Sequence, residues 1–316
     1  MFNFLLYEPI HEAGRKVLEA VGTVRQASAT DEDTIIAEIG DIDGVVVRAK
    51  GAMTRRILEH APRVKVVGRH GVGVDNIDLD ACTDHGVQVV NTPEAVTEGV
   101  VEHTLGLILD LTKRITYTDK VMRTGNFSIR YQIEGRELRG RTLGVVGFGR
   151  IGRRVAQACH AAFGMKILYT DVMAAPELEQ ALGAKRVPLA ELLAQAEYVT
   201  VHVPLLPETK GLFGAKEFAQ MRPDAMFFNA SRGAVVDEAA LYQALVNKQI
   251  AGAGLDVFAQ EPTPPDNPLF GLDNVVLTPH IATATEEALV NMALVTEDLV
   301  AVLQGRAPKY PVNRLK

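Results

Sequence analysis

Three ionisable residues in the carboxyl-terminal half of the chain follow three successive apolar runs that are typical of buried strands. They are Arg232, Glu261 and His280. Because ligands bind at the carboxyl ends of parallel strands, these side chains are expected to converge on one crevice. There a guanidinium would hold a carboxylate, and an imidazole beside a carboxylate would exchange a proton with a bound molecule. Each residue alone is more often a surface or turn residue, so the prediction depends on the set.

A glycine-rich turn indicates the cofactor for this chemistry. Residues 147–152 read GFGRIG, between the apolar run 143–146 and a segment of helical periodicity at 153–163. In such a strand–turn–helix unit Gly147 permits the tight turn, Gly149 lets the backbone approach a pyrophosphate, and Gly152 allows helix and strand to pack closely. The pyrophosphate would lie at the helix N-terminus, where free N–H groups and the helix dipole favour an anion.

The acid that follows this unit predicts which dinucleotide is bound. Asp171 comes 19 residues after Gly152, at the end of the next apolar run, where a carboxylate accepts hydrogen bonds from an adenosine ribose. Residues 172–176 contain no Arg or Lys, so a 2′-phosphate would meet a negative charge without a cation. The sequence therefore predicts NAD rather than NADP. The alternative is a glycine-rich turn of an ordinary α/β protein, and the combination of strand, helix, second strand and acid argues against it.

Length and composition exclude several classes of protein. The chain has 316 residues, enough for two domains, of which 47% are apolar and 23% charged. The net charge of −6 provides no electrostatic footprint for nucleic acid. No apolar run approaches the roughly 18 residues of a membrane helix, and the first ten residues lack the features of a signal peptide. Cys82 and Cys159 are far apart and lack metal-ligand spacing, so we expect free thiols, no metal site and a cytoplasmic location.

Apolar runs and helical segments alternate in two series, which predicts two parallel-sheet α/β domains. The first series has strand-like runs at Phe2–Leu6, Val45–Val47, Val64–Val67 and Val87–Val90, with helices predicted at Glu12–Val21 and Thr34–Ile39. The second has them at Leu143–Val146, Lys166–Thr170, Tyr198–Val203, Ala225–Asn229, Gly252–Asp256 and Val275–Leu277. We predict two Rossmann- or flavodoxin-like domains, with an NAD-binding domain (97–285) inserted into a smaller substrate domain (1–96 and 286–316).

Two helical segments connect these series. Residues 94–123 are predicted to form one or two long helices, which would bridge the domains, contact a second subunit or pack as an ordinary amphipathic core helix. The final helical stretch, 286–303, is expected to cross back and cap the amino-terminal unit, which has no covering helix at its own end. Nothing after residue 316 would form a regulatory domain, so feedback control through one is not expected.

Short motifs along nearly the whole chain occur in the order found in a known family. They are GRHGVGVDNID at 68–78, VNTP at 90–93, EHT at 102–104, the turn at 147–152, HVPL at 202–205, NASRG at 229–233, GLDVF at 254–258 and PH at 279–280. The spacings from Arg232 to Glu261 and from Glu261 to His280 are 29 and 19 residues. The chain resembles the D-isomer-specific 2-hydroxyacid dehydrogenases and, among them, is most similar to 3-phosphoglycerate dehydrogenases.

The resemblance implies a role for each residue of the first set. His280 would be the general acid when a keto acid is reduced and the general base when a hydroxy acid is oxidised. Glu261 would hold the imidazole in position, and Arg232 would clamp the substrate carboxylate and polarise its carbonyl. The resemblance further implies that these residues contact the cofactor: Thr97, Arg150, Ile151, Val203, Pro204, Thr209, Asn229, Ala230, Asp256 and His280.

Substrate contacts are implied for a loop near the amino-terminal end of the chain. The backbone of Gly71, Val72 and Gly73 would help bind the carboxylate. Arg48 and Arg69 match positions near the substrate in phosphoglycerate enzymes, and the alternative is that both are surface charges on loops. We therefore expect an anionic 2-hydroxy or 2-keto acid, with 3-phosphoglycerate/3-phosphohydroxypyruvate preferred.

Other functions remain open within the resemblance. A glyoxylate/hydroxypyruvate reductase or another D-2-hydroxyacid dehydrogenase is the first alternative. Formate dehydrogenases have Gln where this chain has Glu261, which argues against formate as the substrate. Phosphite dehydrogenase keeps a similar triad and stays an alternative. An NAD-sensing corepressor of the same fold is an alternative of a different class. The resemblance also implies a homodimer formed through the 94–123 region.

Overall fold

Two parallel β-sheets organise the chain in a computed structural model that describes residues 1–315. Position 316, the last residue of the predicted 286–316 segment, lies outside the described residues. Unit 1 consists of Met1–Val96 together with the chain from Thr283 onward, and unit 2 consists of Thr97–Ala282. The predicted fold class is confirmed, because both sheets are parallel and unit 2 is inserted into the chain of unit 1.

The sheet of unit 1 has five strands in the order β2-β1-β3-β4-β5. The strands are β1 (Phe2–Leu6), β2 (Gly22–Gln26), β3 (Gly44–Val47), β4 (Val66–Arg69) and β5 (Gln88–Val90). The helices between them are α1 (Glu12–Glu19), α2 (Glu32–Glu38), α3 (Arg55–Glu59) and α4 (Leu79–Asp84). The sequence did not predict β2, because this edge strand buries none of its side chains and so lacks an apolar pattern. The run predicted at Val64–Val67 begins two residues before β4 does.

Unit 2 begins with two helices, α5 (Thr97–Lys113) and α6 (Ile115–Met122), which are separated at Arg114 by a left-handed backbone with φ 58°. The helix α5 buries eight residues and packs on the sheet of its own unit, so it is a core helix. By contrast α6 buries no side chain, and a 3₁₀ turn at Phe127–Tyr131 follows it. Within residues 1–315, no helix is long and apolar enough to cross a membrane.

The sheet of unit 2 has seven strands in the order β12-β11-β10-β9-β6-β7-β8. The strands are β6 (Thr142–Val146), β7 (Lys166–Thr170), β8 (Lys185–Arg186), β9 (Tyr198–Val201), β10 (Met226–Asn229), β11 (Gly252–Leu255) and β12 (Val275–Leu277). The helices are α7 (Arg150–Phe163), α8 (Pro176–Leu182), α9 (Leu189–Gln195), α10 (Ala215–Gln220) and α11 (Glu238–Val246). Every residue of the central strands β9, β10 and β11 is buried, which explains their continuous apolar runs. The two-residue edge strand β8 is exposed, and the sequence did not predict it.

The chain then returns to unit 1 through α12 (Glu286–Ala293) and α13 (Val295–Leu303). These two helices meet at Leu294 and together form the predicted helical stretch at 286–303. The predicted capping of unit 1 is confirmed, since α13 packs on β4 and α1. Gly68 permits the close approach, because a Cβ there would lie 2.2 Å from Leu299 Cδ1.

Candidate active site

The loops after β10, β11 and β12 carry Arg232, Glu261 and His280. These strands are neighbours in the sheet and all run parallel, so their carboxyl ends lie side by side. His280 Nδ1 lies 2.7 Å from Glu261 Oε2. The side chains of His280 and Glu261 are 43% and 37% exposed, so an external molecule can reach both.

The environment of Glu261 fixes its charge and the tautomer of His280. Burial alone raises the pKa of this carboxyl, but the hydrogen bonds from His280 and the Phe258 N–H, and the charge of Arg232, outweigh it and leave the pKa below its usual value. The Phe258 N–H lies 3.0 Å from Glu261 Oε1. An ionised carboxylate only accepts hydrogen bonds, so Nδ1 of His280 carries a hydrogen. Proton exchange with a substrate is therefore left to Nε2.

The turn after β10 places Arg232 beside this pair. The buried Asn229 braces the turn: its Nδ2 donates to the Arg232 carbonyl at 3.0 Å, and its Oδ1 accepts from the Ser231 N–H at 2.9 Å. Gly233 then passes against the loop of Glu261, because a Cβ at this position would lie 1.8 Å from the Phe258 carbonyl oxygen. Any residue with a side chain at position 233 would therefore push the Arg232 and Glu261 loops apart.

Asp256 anchors the loop that carries His280. The His280 backbone is left-handed, with φ 54°, a conformation that costs a non-glycine residue about 1–3 kcal/mol and needs support from its surroundings. Its N–H donates to the Asp256 carbonyl at 2.7 Å. The Asp256 carboxylate is fully buried and accepts from the N–H groups of Ile281 and Ala282, each at 2.9 Å, and from the Thr278 hydroxyl at 2.6 Å. The Asp256 carboxylate, predicted to contact the cofactor, thus faces protein donors.

The glycine turn between β6 and α7 has room for an anion on one side only. Gly147 has φ 92°, and a Cβ on it would lie 2.7 Å from the His202 carbonyl carbon. A Cβ on Gly152 would lie 2.0 Å from the Gly147 carbonyl oxygen. A Cβ on the exposed Gly149, in contrast, would meet no atom within 4 Å. The open side lies at the N-terminus of α7, which begins at Arg150, so the turn fits a pyrophosphate.

Asp171 lies at the end of β7, beside this turn. Its Oδ2 accepts from the Phe148 N–H at 2.5 Å and its Oδ1 from the Met173 N–H at 2.9 Å. The structure also brings Arg186 here from the edge strand β8: its guanidinium donates to the Asp171 carbonyl at 2.7 and 3.0 Å and to the Val172 carbonyl at 3.0 Å. Residues 172–176 contain no Arg or Lys, and the sequence did not predict this cation from β8.

The other residues predicted to contact the cofactor lie at several places in unit 2. Val203 packs against the glycine turn, 2.8 Å from where a Gly147 Cβ would stand. The hydroxyl of Thr209 donates to the Pro204 carbonyl at 2.6 Å and accepts from the Leu206 N–H at 2.8 Å, so it shapes the 204–209 loop. Three further residues are partly buried or exposed: Thr97 at the start of α5, Ile151 in α7 and Ala230 in the turn after β10.

Apart from Arg232, the residues predicted to bind substrate lie in unit 1, at or just after the carboxyl ends of β3 and β4. Arg69 Nε donates to the Gly73 carbonyl at 2.6 Å, and Nη1 donates to the His70 carbonyl, so this guanidinium holds the loop together. Arg48 Nη1 donates to the Pro9 carbonyl at 2.9 Å. Gly71 has φ 126°, and the Val72 that follows is 37% exposed.

The imidazoles of His70 and His202 differ from that of His280 in their enclosure by protein. Burial, with the charges of Arg48 and Arg69, lowers the pKa of His70 to about 4. Burial lowers the pKa of His202 to about 4 as well. Both side chains are therefore neutral near pH 7. In the part of the chain that the structure describes, no group of three or more His, Cys, Asp or Glu residues is arranged to hold a metal ion.

Comparison with known proteins identifies the family of this site. Residues 105–282 match the family model described as "D-isomer specific 2-hydroxyacid dehydrogenase, NAD binding domain". The chain belongs to this family. The matched residues lie within unit 2, and the family resemblance predicted from the motifs is confirmed.

Curated relatives of this chain include D-3-phosphoglycerate dehydrogenases and glyoxylate reductases. The chain is 41% identical to the D-3-phosphoglycerate dehydrogenase of Methanocaldococcus jannaschii, over 99% of this chain and 60% of that protein. It is 41% identical to the glyoxylate reductase of Korarchaeum cryptofilum, over 89% of this chain and 85% of that protein. The chain thus spans about 60% of the length of the phosphoglycerate dehydrogenases from M. jannaschii and Archaeoglobus fulgidus.

Solved structures share the fold over almost the whole chain. The TT0316 protein from Thermus thermophilus superposes with a TM-score of 0.92 at 33% identity, covering 98% of this chain and 100% of that one. The D-lactate dehydrogenase of Aquifex aeolicus, in complex with NAD and lactic acid, gives a TM-score of 0.87 at 31% identity and covers 96% of both chains.

Proposed function

We propose that the protein is an NAD-dependent dehydrogenase that interconverts a 2-hydroxy acid and a 2-keto acid. The observation that carries the proposal is the contact of 2.7 Å between His280 Nδ1 and Glu261 Oε2, in a loop cluster that also holds Arg232. A carboxylate that orients an imidazole beside a guanidinium is suited to proton transfer on a carboxylate-bearing molecule.

Each residue of the cluster has one task in the reduction of a keto acid. His280 donates its Nε2 proton to the carbonyl oxygen, while Glu261 keeps accepting the Nδ1 hydrogen and so fixes the ring. Arg232 binds the substrate carboxylate with two parallel N–H groups and polarises the carbonyl, which a lysine does poorly. In the oxidation of a hydroxy acid, Nε2 accepts the proton instead.

In this proposal the turn at 147–152 holds the pyrophosphate of NAD, and Asp171 binds its adenosine ribose. When bound, the cofactor supplies or accepts the hydride. Gly149 provides the open side for the pyrophosphate, with Arg150 and Ile151 at the start of α7 beside it. The predicted contacts of Thr97, Val203, Pro204, Thr209, Asn229, Ala230 and Asp256 belong to this proposal.

The preferred substrate pair is 3-phosphoglycerate and 3-phosphohydroxypyruvate. In its support, Arg48 follows β3 and Arg69 ends the neighbouring strand β4 in unit 1, where Arg69 contacts the carbonyls of His70 and Gly73. Curated relatives named D-3-phosphoglycerate dehydrogenase also support it. A glyoxylate/hydroxypyruvate reductase is the second candidate. One observation favours it. Two N–H groups of Arg69 donate to loop carbonyls, so these two groups are not available to bind a phosphate.

A steady-state assay of the purified protein tests these functions. The substrates are phosphohydroxypyruvate, hydroxypyruvate, glyoxylate, pyruvate and an apolar 2-keto acid, each with NADH and with NADPH. We expect the highest kcat/KM for phosphohydroxypyruvate with NADH. High values for pyruvate or apolar acids with none for the phosphorylated acid would reject the preferred substrate. Absence of NADH oxidation with every acid would reject the enzyme and favour an NAD-sensing binding protein.

We also propose that the protein is a cytoplasmic homodimer. The dimer is supported by α6 and the following 3₁₀ turn, which present Ile115, Met122, Phe127 and Tyr131 with exposures of 54%, 44%, 62% and 81%. Such a cluster of large exposed apolar side chains is typical of an interface. The cytoplasmic location is supported by two buried cysteines that are both free. Cell fractionation with an antibody against the protein tests the location.

A further inference from the structure

A histidine of α5 contacts the residues that anchor the His280 loop. His103 Nε2 lies 2.9 Å from Thr278 Oγ1 and 3.3 Å from Asp256 Oδ1. The His103 side chain is 20% exposed, and that of Asp256 is fully buried. His103 belongs to the EHT motif at 102–104, to which the proposed reaction assigns no role.

The hydrogen atoms of this contact can be assigned from chemistry. The Thr278 hydroxyl has one hydrogen and donates it to Asp256 Oδ1 at 2.6 Å. Its oxygen therefore accepts from His103, so Nε2 of His103 carries a hydrogen that faces both Thr278 and Asp256. Burial raises the pKa of Asp256. The hydrogen bonds from the side chains of His103 and Thr278 and from two backbone N–H groups, those of Ile281 and Ala282, outweigh this effect and lower the pKa overall. Asp256 is thus a buried anion, and His103 is one of its donors.

This buried anion controls the backbone on both sides of His280. Thr278, two residues before it, also donates its N–H to the Leu255 carbonyl at 2.9 Å. After it, the N–H groups of Ile281 and Ala282 are held by the Asp256 carboxylate. His280 itself has the left-handed φ of 54°, which persists only where the surrounding contacts impose it. A donor that fixes Thr278 and Asp256 therefore fixes the direction in which the imidazole leaves the backbone.

We propose that His103 is a positioning residue for His280. Its Nε2–H holds Thr278 and the Asp256 carboxylate in place, and these two residues keep His280 in the conformation that meets Glu261. The inference rests on the proposed function only in its effect on turnover; the effect on the loop is independent of it. Groups that act through such outer contacts typically change activity by about 10- to 100-fold, because small displacements at the reacting atoms are costly.

Two substitutions of His103 separate hydrogen bonding from packing. His103→Leu removes the N–H and retains an apolar side chain, whereas His103→Gln keeps an N–H near the position of Nε2. We expect His103→Leu to lower kcat by about 10- to 100-fold, with KM for NADH changed by less than about threefold. His103→Gln should restore most of kcat. The matched control is His160→Leu, which removes a histidine of α7 bonded to the Met165 carbonyl at 3.0 Å, and it should leave kcat unchanged.

Hydrogen exchange followed by mass spectrometry gives a readout that needs no turnover. In His103→Leu, the peptide that covers residues 278–282 should exchange faster than in the wild type, and in His103→Gln nearly as slowly. If the wild type reduces none of the keto acids, the proposed function fails, and this measurement still tests the positioning role. Unchanged exchange in His103→Leu, or equal impairment by Leu and Gln, would overturn the proposal.

A second pair of variants serves if His103→Leu does not fold. Thr278→Val removes the hydroxyl that His103 contacts at nearly constant shape, and Thr278→Ser retains it. We expect Thr278→Val to lower kcat and speed exchange of residues 278–282, and Thr278→Ser to behave like the wild type. Wild-type turnover and exchange in Thr278→Val would overturn the positioning role of this network.

Discussion

At the scale of residues, the two nitrogens of one imidazole have different tasks. Nδ1 of His280 donates to Glu261. Burial raises the pKa of Glu261, but His280, the Phe258 N–H and Arg232 lower it by more, so the pKa is below its usual value. In the proposed reaction, Nε2 exchanges a proton with the substrate. Because Glu261 is itself held by the Phe258 N–H at 3.0 Å, the orientation of the ring is set by backbone as well as by a charge.

Substitution of His280 tests this division directly. His280→Ala removes the proton donor, so kcat should fall by about 10²- to 10⁴-fold. NADH binding, measured by fluorescence titration, should stay within a few-fold of the wild type. Glu261→Gln keeps an oxygen that can accept from Nδ1 and should lower kcat less. An unchanged kcat in His280→Ala would refute its role as the general acid.

The buried Asp256 makes a second prediction at this scale, for stability against pH. Its folded pKa is depressed, so its stabilisation is fully present above the unfolded value of about 3.9 and is lost as pH falls through the folded pKa. Asp256→Asn should lower the free energy of unfolding by about 1.5–3 kcal/mol near pH 7, because charged hydrogen bonds are replaced by neutral ones. Urea unfolding from pH 3 to 8 measures this. The difference between wild type and variant should shrink only below about pH 4; a difference that grows towards low pH would contradict the assignment.

At the scale of elements, the β6–turn–α7 unit separates the reasons for its glycines. Gly152 is required by packing, since its Cβ would lie 2.0 Å from a carbonyl oxygen. Gly149 faces open space, so packing does not require glycine there. A glycine at this position matters only if a ligand approaches the backbone.

A matched pair of alanine substitutions exploits this contrast. Gly152→Ala should lower the free energy of unfolding by about 1–3 kcal/mol, as expected for overpacking, because α7 must move away from β6. Gly149→Ala should leave stability within about 0.5 kcal/mol and weaken NADH binding. Urea unfolding and NADH fluorescence measure the two effects. Equal NADH affinity of Gly149→Ala and wild type would mean that no pyrophosphate approaches this residue.

In the proposed function, the ends of β7 and β8 carry the charges that would distinguish NAD from NADP. The Asp171 carboxylate would repel a 2′-phosphate. The exposed Arg186 is held beside the same loop, because it donates hydrogen bonds to the carbonyls of Asp171 and Val172. The negative charge of Asp171 therefore stands beside a cation that could serve NADP if the carboxylate were removed.

Removal of the Asp171 charge should narrow the preference for NAD. Asp171→Ala is expected to change the ratio of kcat/KM for NADH to that for NADPH by about 10- to 100-fold, the equivalent of one charged hydrogen bond. Arg186→Ala added to the Asp171→Ala variant should remove any gain in kcat/KM for NADPH. Asp171→Asn keeps an acceptor for the Phe148 N–H and controls for damage to the glycine turn. A ratio that stays constant in all three variants would mean that the acid does not bind the ribose.

At the scale of the whole molecule, the exposed apolar cluster of α6 and its 3₁₀ turn predicts association. Phe127→Glu combined with Tyr131→Glu should convert a dimer into monomers, because two buried charges would face each other across a symmetric interface. Sedimentation velocity measures the change. Phe270→Glu, at a residue 51% exposed elsewhere in unit 2, is the control and should leave the dimer intact. A monomeric wild type would reject the proposed dimer.

The sequence predicted the elements that depend on local signals. Buried strands such as β6 and β10 are apolar runs, and the glycine turn is a local pattern, so both were located from residues alone. The edge strands β2 and β8 were missed because they bury no side chains and leave no such signal.

The chemical groups were determined by the sequence: an arginine, a glutamate and a histidine after strands, and glycines where a side chain would collide. Their neighbours were decided only by the tertiary structure. His103 lies 175 residues before Thr278, and Arg186 lies 15 residues after Asp171, yet each contacts its partner through the packing of a helix or strand on the sheet. The physical reason is that periodicity reports which side chains are buried, whereas the order of strands in the folded sheet decides which of them meet.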